Sequence, residues 1–230
     1  MSEEAIYRPG TPESYRRVRK SLRFILGGLA RLNVSGQANI PAQGGLLLVS
    51  NHLSAFDIPV FGVTFERQAV VFIASKHRHN LIIAPIVQGS GCIWVQRGEA
   101  DRAALKAALG VLKDGLALAL APEGTRSPTH ALQPGKTGAA YIATRAGVPI
   151  LPVVTWGVEQ IKSALPRLRR AEVFVRYGRP FRLPDDPHAR GEALETYTTE
   201  IMCRLAALLP EAYRGAYANQ PRVAELLPQT

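Results

Sequence analysis

Short apolar runs that alternate with helical segments constrain the fold of this chain more than any other feature. The runs have the length and composition of buried strands, and they cover residues 45–50, 69–75, 91–96, 116–121, 150–155 and 172–177. Helical spacing is clearest over residues 99–114, 137–146 and 191–209. Strands that alternate with helices favour an α/β fold, with a mostly parallel, mixed sheet covered by helices on both faces.

Length and composition are those of one domain with a substantial core. The chain has 230 residues, of which 47% are hydrophobic, and no internal repeat is visible. Its two cysteines, Cys92 and Cys203, are too few for a disulfide framework and suggest a reducing compartment. The apolar run from Phe24 to Ala30 is far shorter than the roughly 20 residues that a membrane-spanning helix needs. We therefore expect a cytoplasmic protein whose surface makes any membrane contact.

His52 and Asp57 stand directly after the apolar run that ends at Ser50. A histidine can act as a general base near neutral pH, and a carboxylate can hold its ring in one tautomer and stabilise its protonated form. Their separation is not a same-face helical spacing, so the pair meets only if the chain turns between them. Asp57 would then lie near the start of a helix whose first turn holds Pro59. Taken alone, the motif also fits a satisfied polar pair and a helix cap.

Two further strand-like runs end in polar residues. Arg97 follows the run at 91–96, and the sequence Glu-Gly-Thr-Arg-Ser at 123–127 follows the run at 116–121. A proline-marked apolar segment comes last, at 148–154. Ligands of open α/β sheets bind beyond the carboxyl ends of the strands, so we expect these clusters to converge on one site.

The four blocks, in this order, resemble the PlsC-like glycerolipid acyltransferases, the family of 1-acyl-sn-glycerol-3-phosphate acyltransferase. Asn51, His52 and Asp57 match its first motif, Asn-His-four residues-Asp. Arg97 ends a Gly-x-Ile-x-Val strand as in the second motif. Residues 123–127 match the third motif letter for letter, and residues 148–152 match the Val-Pro-Ile-x-Pro segment of the fourth.

The resemblance implies a glycerol-3-phosphate acyltransferase-like fold and an O-acyltransferase activity. A fatty acyl group would pass from acyl-CoA or acyl carrier protein to the sn-2 hydroxyl of 1-acyl-glycerol-3-phosphate, a lysophospholipid, giving phosphatidic acid. His52 would be the general base and Asp57 would orient it, without an enzyme nucleophile, a cofactor or a metal. The substrate-binding residues would be Asn51, Arg97, Glu123, Gly124, Thr125 and Arg126. The two arginines would bind phosphate, and the backbone N–H groups of Gly124 and Thr125 would approach the phosphate or the developing oxyanion.

The same residues also fit two other functions. The acceptor would be a different lysolipid, such as lyso-ornithine lipid, if the arginines bind a carboxylate instead of a phosphate. A non-catalytic peripheral lipid-binding protein is the second alternative, and the intact His52 and Asp57 count against it. Either arginine would otherwise serve in a structural ion pair, for example Arg126 with Glu123.

The net charge of +10 is concentrated in two segments. Residues 1–31 carry seven Lys and Arg against three acidic residues, and residues 162–182 carry seven against one. Such localised charge indicates a polyanionic partner, and the lack of interleaved aromatic residues and of nucleic-acid motifs favours anionic lipid over nucleic acid. The second segment, which includes Lys162, is either a solvated loop or a contact with a membrane or a carrier.

Residues 1–33 are expected to form a basic amphipathic helix at the membrane interface, ahead of an acyltransferase domain at 34–230. Thr11 and Pro12 are typical of a helix start. The apolar residues with helical spacing are Val18, Leu22, Ile25, Leu29 and Leu32. Such a helix lies in the headgroup plane of anionic lipid, here the inner face of the cell membrane. Packing of its apolar face on the domain is the alternative.

Overall fold

The computed structural model of the chain describes residues 6–81, 83–96 and 101–227. Within them lies one sheet with the strand order β1-β5-β4-β6-β3-β7-β8-β2. The strands are β1 (Tyr7–Arg8), β2 (Ala30–Ser35), β3 (Leu46–Ser50), β4 (Ala69–Ala74), β5 (Cys92–Val95), β6 (Ala117–Leu120), β7 (Ile150–Trp156) and β8 (Ala171–Tyr177). The helices are α1 (Pro12–Leu29), α2 (Asp57–Thr64), α3 (Ile83–Ser90), α4 (Arg102–Lys113), α5 (Gly138–Ala146), α6 (Ile161–Ala164), α7 (Glu192–Leu208) and α8 (Pro221–Leu226). This confirms the predicted α/β fold.

The direction of the strands decides which loops share an edge of the sheet. Strands β5, β4, β6, β3 and β7 are parallel, so their carboxyl ends meet at one edge, which we call the carboxyl edge. β8 runs antiparallel to β7, and β2 is parallel to β8. The amino ends of β8 and β2 therefore also lie at the carboxyl edge. β1 pairs antiparallel with β5 at the other side of the sheet.

Alternating side chains of the central strands divide the core into layers. On β3, Leu47 and Val49 pack into the apolar layer that contains residues of α4, α5 and α7. Leu46 and Leu48 point the other way, into the layer that contains residues of α1 and α2. β3 is thus buried on both faces, which is why its first four residues form a continuous apolar run.

The N-terminal helix starts as expected but ends earlier. Thr11 caps α1, its side chain accepting a hydrogen bond from the backbone N–H of Ser14, and Pro12 is in the first turn. After Leu29 the chain turns into β2, whose six residues pair with β8. Leu32 therefore lies in a strand, so its predicted place on the helical face is wrong. The expected boundary at residue 33 falls inside β2.

The apolar side chains of α1 divide between the domain and the surface. Tyr15 and Leu26 are buried, and Leu22 faces α2 beside Gly62. Phe24 is 86% exposed and Ile25 is 54% exposed. The predicted face therefore packs on the domain through Leu22, while Ile25 faces away from it. No helix in the described part of the chain is long and apolar enough to span a membrane.

Candidate active site

His52 and Asp57 meet across the turn that joins β3 to α2. β3 ends at Ser50, and α2 begins at Asp57. The intervening residues are not helical, and they fold back so that His52 Nδ1 lies 2.8 Å from Asp57 Oδ2. The predicted meeting of the two side chains is confirmed. Because a carboxylate can only accept a hydrogen bond, the neutral form of the ring places its proton on Nδ1 and its lone pair on Nε2.

The carboxylate of Asp57 is held from several directions. Its side chain is 3% exposed, and Oδ2 also accepts hydrogen bonds from the backbone N–H groups of Leu53 and Ser54, each at 2.8 Å. Oδ1 accepts a hydrogen bond from the Thr155 hydroxyl at 3.0 Å. These donors compensate for the burial of the charge and fix the orientation of the imidazole ring. Thr155 comes from the distant strand β7, and no motif in the sequence points to it.

Asn51 joins the loop after β3 to strand β7 through both atoms of its amide group. Its Nδ2 donates to the carbonyl of Thr155 at 2.8 Å, and its Oδ1 accepts from the Thr155 N–H at 2.9 Å. The side chain is buried. These bonds give Asn51 a positioning role: it joins the end of β3 to β7, and so places Thr155 against Asp57. Its predicted contact with the substrate stays a prediction.

Glu123 likewise supports the backbone of the site. Its Oε1 accepts the His52 backbone N–H at 2.8 Å, and its Oε2 accepts the Gln133 N–H at 2.9 Å. Its side chain is 2% exposed and both oxygens are engaged by the backbone, so its contacts in the structure are those of a supporting residue, and the predicted substrate contact stays a prediction. Both oxygens bind backbone groups, which also argues against the ion pair with Arg126. Burial raises the pKa of Glu123, while the two N–H donors act in the opposite direction.

Residues of the Glu-Gly-Thr-Arg turn line two different cavities. Gly124 has a left-handed φ of +69°, and a Cβ there would lie 3.3 Å from Lys136 Nζ. The Gly124 N–H donates to the Ala121 carbonyl at 3.0 Å, and Gly124 lines the same cavity as His52. Its predicted contact with a phosphate or an oxyanion stays a prediction. Thr125 and Arg126 are exposed and face the other cavity. Arg97, the remaining predicted residue, lies outside the described residues.

The first cavity, which we call the apolar cavity, has a volume of about 400 Å³. His52 and Asp57 line it, and most of its wall is apolar side chains of α2, β4, α3 and α5. Among the described residues, Lys136 is the only Lys or Arg in this wall. Sequence reasoning missed Lys136, which reaches the site because its backbone N–H bonds the Pro122 carbonyl at 2.8 Å.

The second cavity, which we call the basic pocket, has a volume of about 390 Å³. Its charged and polar lining includes Arg126, Lys162, His130, Thr125 and Glu159. Leu53 and Ser54 also line it, so the loop that carries His52 runs between the two cavities. A base with a free Nε2 beside an apolar cavity and a cationic pocket suits proton abstraction from the hydroxyl of an amphiphilic anion.

Among the described residues, no side-chain cluster with the composition of a metal site accompanies this arrangement. Within residues 6–81, 83–96 and 101–227, His, Cys, Asp and Glu side chains do not gather in groups of three or more that would hold an ion.

Sequence and structure comparisons agree with the geometry. A 1-acyl-sn-glycerol-3-phosphate acyltransferase of Borreliella burgdorferi is 30% identical over 132 residues, which are 55% of this chain and 51% of that protein. The Bacillus subtilis enzyme of the same name is 23% identical over 189 residues, which cover 82% of this chain and 92% of that enzyme. The chain spans about half the length of some curated relatives, such as 53% of one from Mycoplasma pneumoniae.

A solved structure and a family model extend the likeness to the fold. The crystal structure of the 1-acyl-sn-glycerophosphate acyltransferase PlsC from Thermotoga maritima has a TM-score of 0.65, at 26% sequence identity. The match covers 81% of this chain and 76% of that one. The family model described as Acyltransferase matches residues 31–156, from β2 to the end of β7. That match takes in more than half of the chain together with His52 and Asp57, and on this ground the chain belongs to the acyltransferase family.

Proposed function

We propose that this protein transfers a fatty acyl group from an acyl thioester to the sn-2 hydroxyl of 1-acyl-glycerol-3-phosphate, giving phosphatidic acid. The observation that carries the proposal is the position of His52. Its ring is bound to Asp57 through Nδ1 and lines the apolar cavity, next to the loop that borders the basic pocket. The names of the relatives point to the same substrate.

The reaction needs one group that acts first as a base and then as an acid. His52 Nε2 takes the proton of the acceptor hydroxyl as its oxygen attacks the thioester carbonyl. The new C–O bond forms a tetrahedral intermediate, and the C–S bond then breaks. The leaving thiolate takes the proton back from the imidazolium, so the enzyme returns to its starting state without a covalent intermediate. Asp57 stays ionised and stabilises the imidazolium.

The apolar cavity is the proposed place for hydrocarbon. Its wall includes Phe61, Val71 and Ile142, from three different elements, and His52 stands at its polar part. A fatty chain in this cavity gains free energy by leaving water, and it brings the carbonyl carbon next to the base. Lys136, the cation in the wall, supplies positive potential where negative charge develops on the carbonyl oxygen.

The basic pocket is the proposed phosphate site. Arg126 offers a bidentate donor and Lys162 a second positive charge, both on the far side of the His52 loop. Two cations suit a phosphate monoester, which carries close to two negative charges. A lyso-aminolipid acceptor such as lyso-ornithine lipid remains the second candidate, because Arg126 would also bind a carboxylate.

Two further parts of the proposal concern the donor and the membrane. The donor is acyl-CoA or acyl carrier protein, since either presents the thioester that the mechanism requires. The exposed face of α1 combines Phe24 and Ile25 with basic residues such as Arg16 and Arg23. We place this face against anionic lipid at the inner surface of the cell membrane.

A product assay tests the function. The purified protein is given a panel of lyso-acceptors with acyl-CoA or acyl carrier protein as donor, and the products are identified by mass spectrometry. We expect phosphatidic acid from lysophosphatidate, and loss of product in His52→Ala with binding to lipid vesicles retained. Acylation of lyso-ornithine lipid alone would identify the second candidate. Transfer by His52→Ala near the wild-type rate would disprove the role of the base.

A further inference from the structure

The large exposed hydrophobic side chains are not scattered over the surface. Among the described residues they are Phe24, Ile25, Leu81, Leu165 and Leu168. Phe24 and Ile25 lie in the last turns of α1, just before the amino end of β2. Leu81 follows the carboxyl end of β4, and the two other leucines lie between the carboxyl end of β7 and the amino end of β8. Every one of these chain positions belongs to the carboxyl edge, where His52 lies.

Residues 161–170, which we call the β7–β8 segment, present two of these leucines from an ordered turn. Helix α6 passes into a 3₁₀ turn at Leu165–Arg167. Leu168 then adopts a left-handed φ of +50° and is 98% exposed. Its N–H bonds the Leu165 carbonyl at 3.1 Å, and the N–H of Arg169 bonds the Ala164 carbonyl at 3.2 Å. A branched apolar residue in this conformation is unusual, and here the fold holds it in water without an apolar partner.

Basic side chains surround these leucines. Lys162, Arg167, Arg169 and Arg170 are all exposed, and the β7–β8 segment contains no acidic residue. Arg170 Nη2 also donates to the Ala30 carbonyl at 3.1 Å, which ties the segment to the end of α1. Lys162 lines the basic pocket. The segment therefore connects the mouth of the proposed phosphate site with the exposed end of the N-terminal helix.

We infer that the β7–β8 segment is a second membrane-docking element, which places Leu165 and Leu168 in the acyl region of an anionic bilayer while its arginines contact the headgroups. This inference rests on the proposed function, because it names the surface through which a membrane-borne acceptor reaches the basic pocket. Exposed leucines flanked by cations match the chemistry of a bilayer interface, apolar inside and anionic at the surface. An acidic carrier protein would satisfy the arginines, but it gives no reason for a leucine held almost fully in solvent at the tip of the turn.

Vesicle binding tests the inference without any need for turnover. Sedimentation with phosphatidylglycerol-containing vesicles is measured for Leu165→Ser/Leu168→Ser in the full chain carrying His52→Ala. We expect binding to fall at least about tenfold, because two apolar side chains no longer leave water for the bilayer. Leu165→Met/Leu168→Met should restore it, since methionine keeps the apolar surface. The inference would be overturned if the serine variant bound vesicles as well as the parent while its circular dichroism spectrum matched that of the wild type.

The role of the basic residues is tested with two double variants that each remove two positive charges. Arg167→Gln/Arg169→Gln should weaken binding about tenfold at low salt, and the loss should shrink as salt is added. Lys106→Gln/Lys113→Gln removes the same charge from exposed positions of α4, and it should bind like the parent. Equal losses in both double variants would show that only net charge matters, which contradicts a specific docking element.

Measuring how deeply position 168 inserts distinguishes a bilayer from acyl carrier protein as the partner of the β7–β8 segment. Leu168→Trp should be quenched by lipids brominated in their acyl chains, beyond the quenching of the native Trp94 and Trp156, whereas Lys113→Trp should not. Absence of this quenching would rule out insertion. A raised KM for acyl carrier protein in Arg167→Gln/Arg169→Gln, with vesicle binding unaltered, would assign the segment to the carrier and overturn the inference. Because binding and depth are measured on an inactive background, failure of the proposed reaction leaves both results interpretable.

Discussion

Replacing Asp57 with asparagine tests the centre of the mechanism. The carboxylate accepts four hydrogen bonds, three at Oδ2 and one at Oδ1. In Asp57→Asn the amide oxygen is expected at the Oδ2 position, because the donors from His52, Leu53 and Ser54 all point there. The hydroxyl of Thr155 can rotate to accept from the amide NH₂. The hydrogen bonds and the imidazole tautomer are then kept, and only the negative charge is lost.

The cost of losing the charge follows from the distance. Two unit charges about 4 Å apart attract by about 4 kcal/mol at an effective dielectric constant near 20. Solvation of the exposed edge of the ring offsets part of this loss. We therefore expect the Asp57 charge to stabilise the imidazolium of the transition state by about 2–4 kcal/mol. At about 1.4 kcal/mol per factor of ten, kcat should fall roughly 30- to 1,000-fold. A flipped amide would instead fix the wrong tautomer and cost about 10⁴-fold.

The assay is release of free thiol from acyl-CoA with saturating lysophosphatidate. Asp185→Asn is the matched control, because it makes the same change at an exposed aspartate, and its kcat should equal that of the wild type. The unfolding midpoint of Asp57→Asn should stay close to the wild-type value, since the hydrogen bonds persist. A kcat within about threefold of the wild type would refute the reasoning, because imidazolium stabilisation would then contribute almost nothing.

Three further substitutions probe the supporting residues. Asn51→Ala should destabilise the fold by about 2–4 kcal/mol in urea unfolding, because two backbone groups of Thr155 lose their partner in a buried site; a loss below 1 kcal/mol would argue against the positioning role. Arg126→Gln should raise KM for lysophosphatidate about tenfold or more with kcat little changed, as removal of one phosphate contact requires; an unaltered KM would contradict phosphate binding in the basic pocket. Burial raises the pKa of Glu123 above its ordinary value of 4.5, so the folded state binds this proton more tightly than the unfolded chain. Its contribution to stability is therefore full below pH 4.5 and declines as the pH rises through the folded-state pKa. The difference in unfolding free energy between the wild type and Glu123→Gln should change in that window, and a flat difference would show that Glu123 titrates as in the unfolded chain.

The central secondary structure and the catalytic pair were predictable because local sequence encodes them. Each buried strand of the parallel region is a continuous apolar run, and α4, α5 and α7 are each followed by a glycine or a proline that ends the helix. The separation of His52 and Asp57 forces a turn, so a short piece of chain determines that the two side chains meet. β2 escaped prediction because it is half-buried, lies at the side of the sheet and depends on pairing with β8, far away in the sequence.

The roles of the neighbouring residues were decided only by tertiary structure. Asn51 and Glu123 belong to sequence motifs that suggest substrate contact, yet their partners in the structure are backbone groups of distant segments that the fold brings alongside. Arg126 lies near His52 in the fold but lines a separate pocket, and Lys136 enters the catalytic cavity from a loop without any motif. A motif specifies which groups are present. Which of them keep a free hydrogen-bonding atom depends on the burial and pairing that distant strands impose, and only the folded chain determines that.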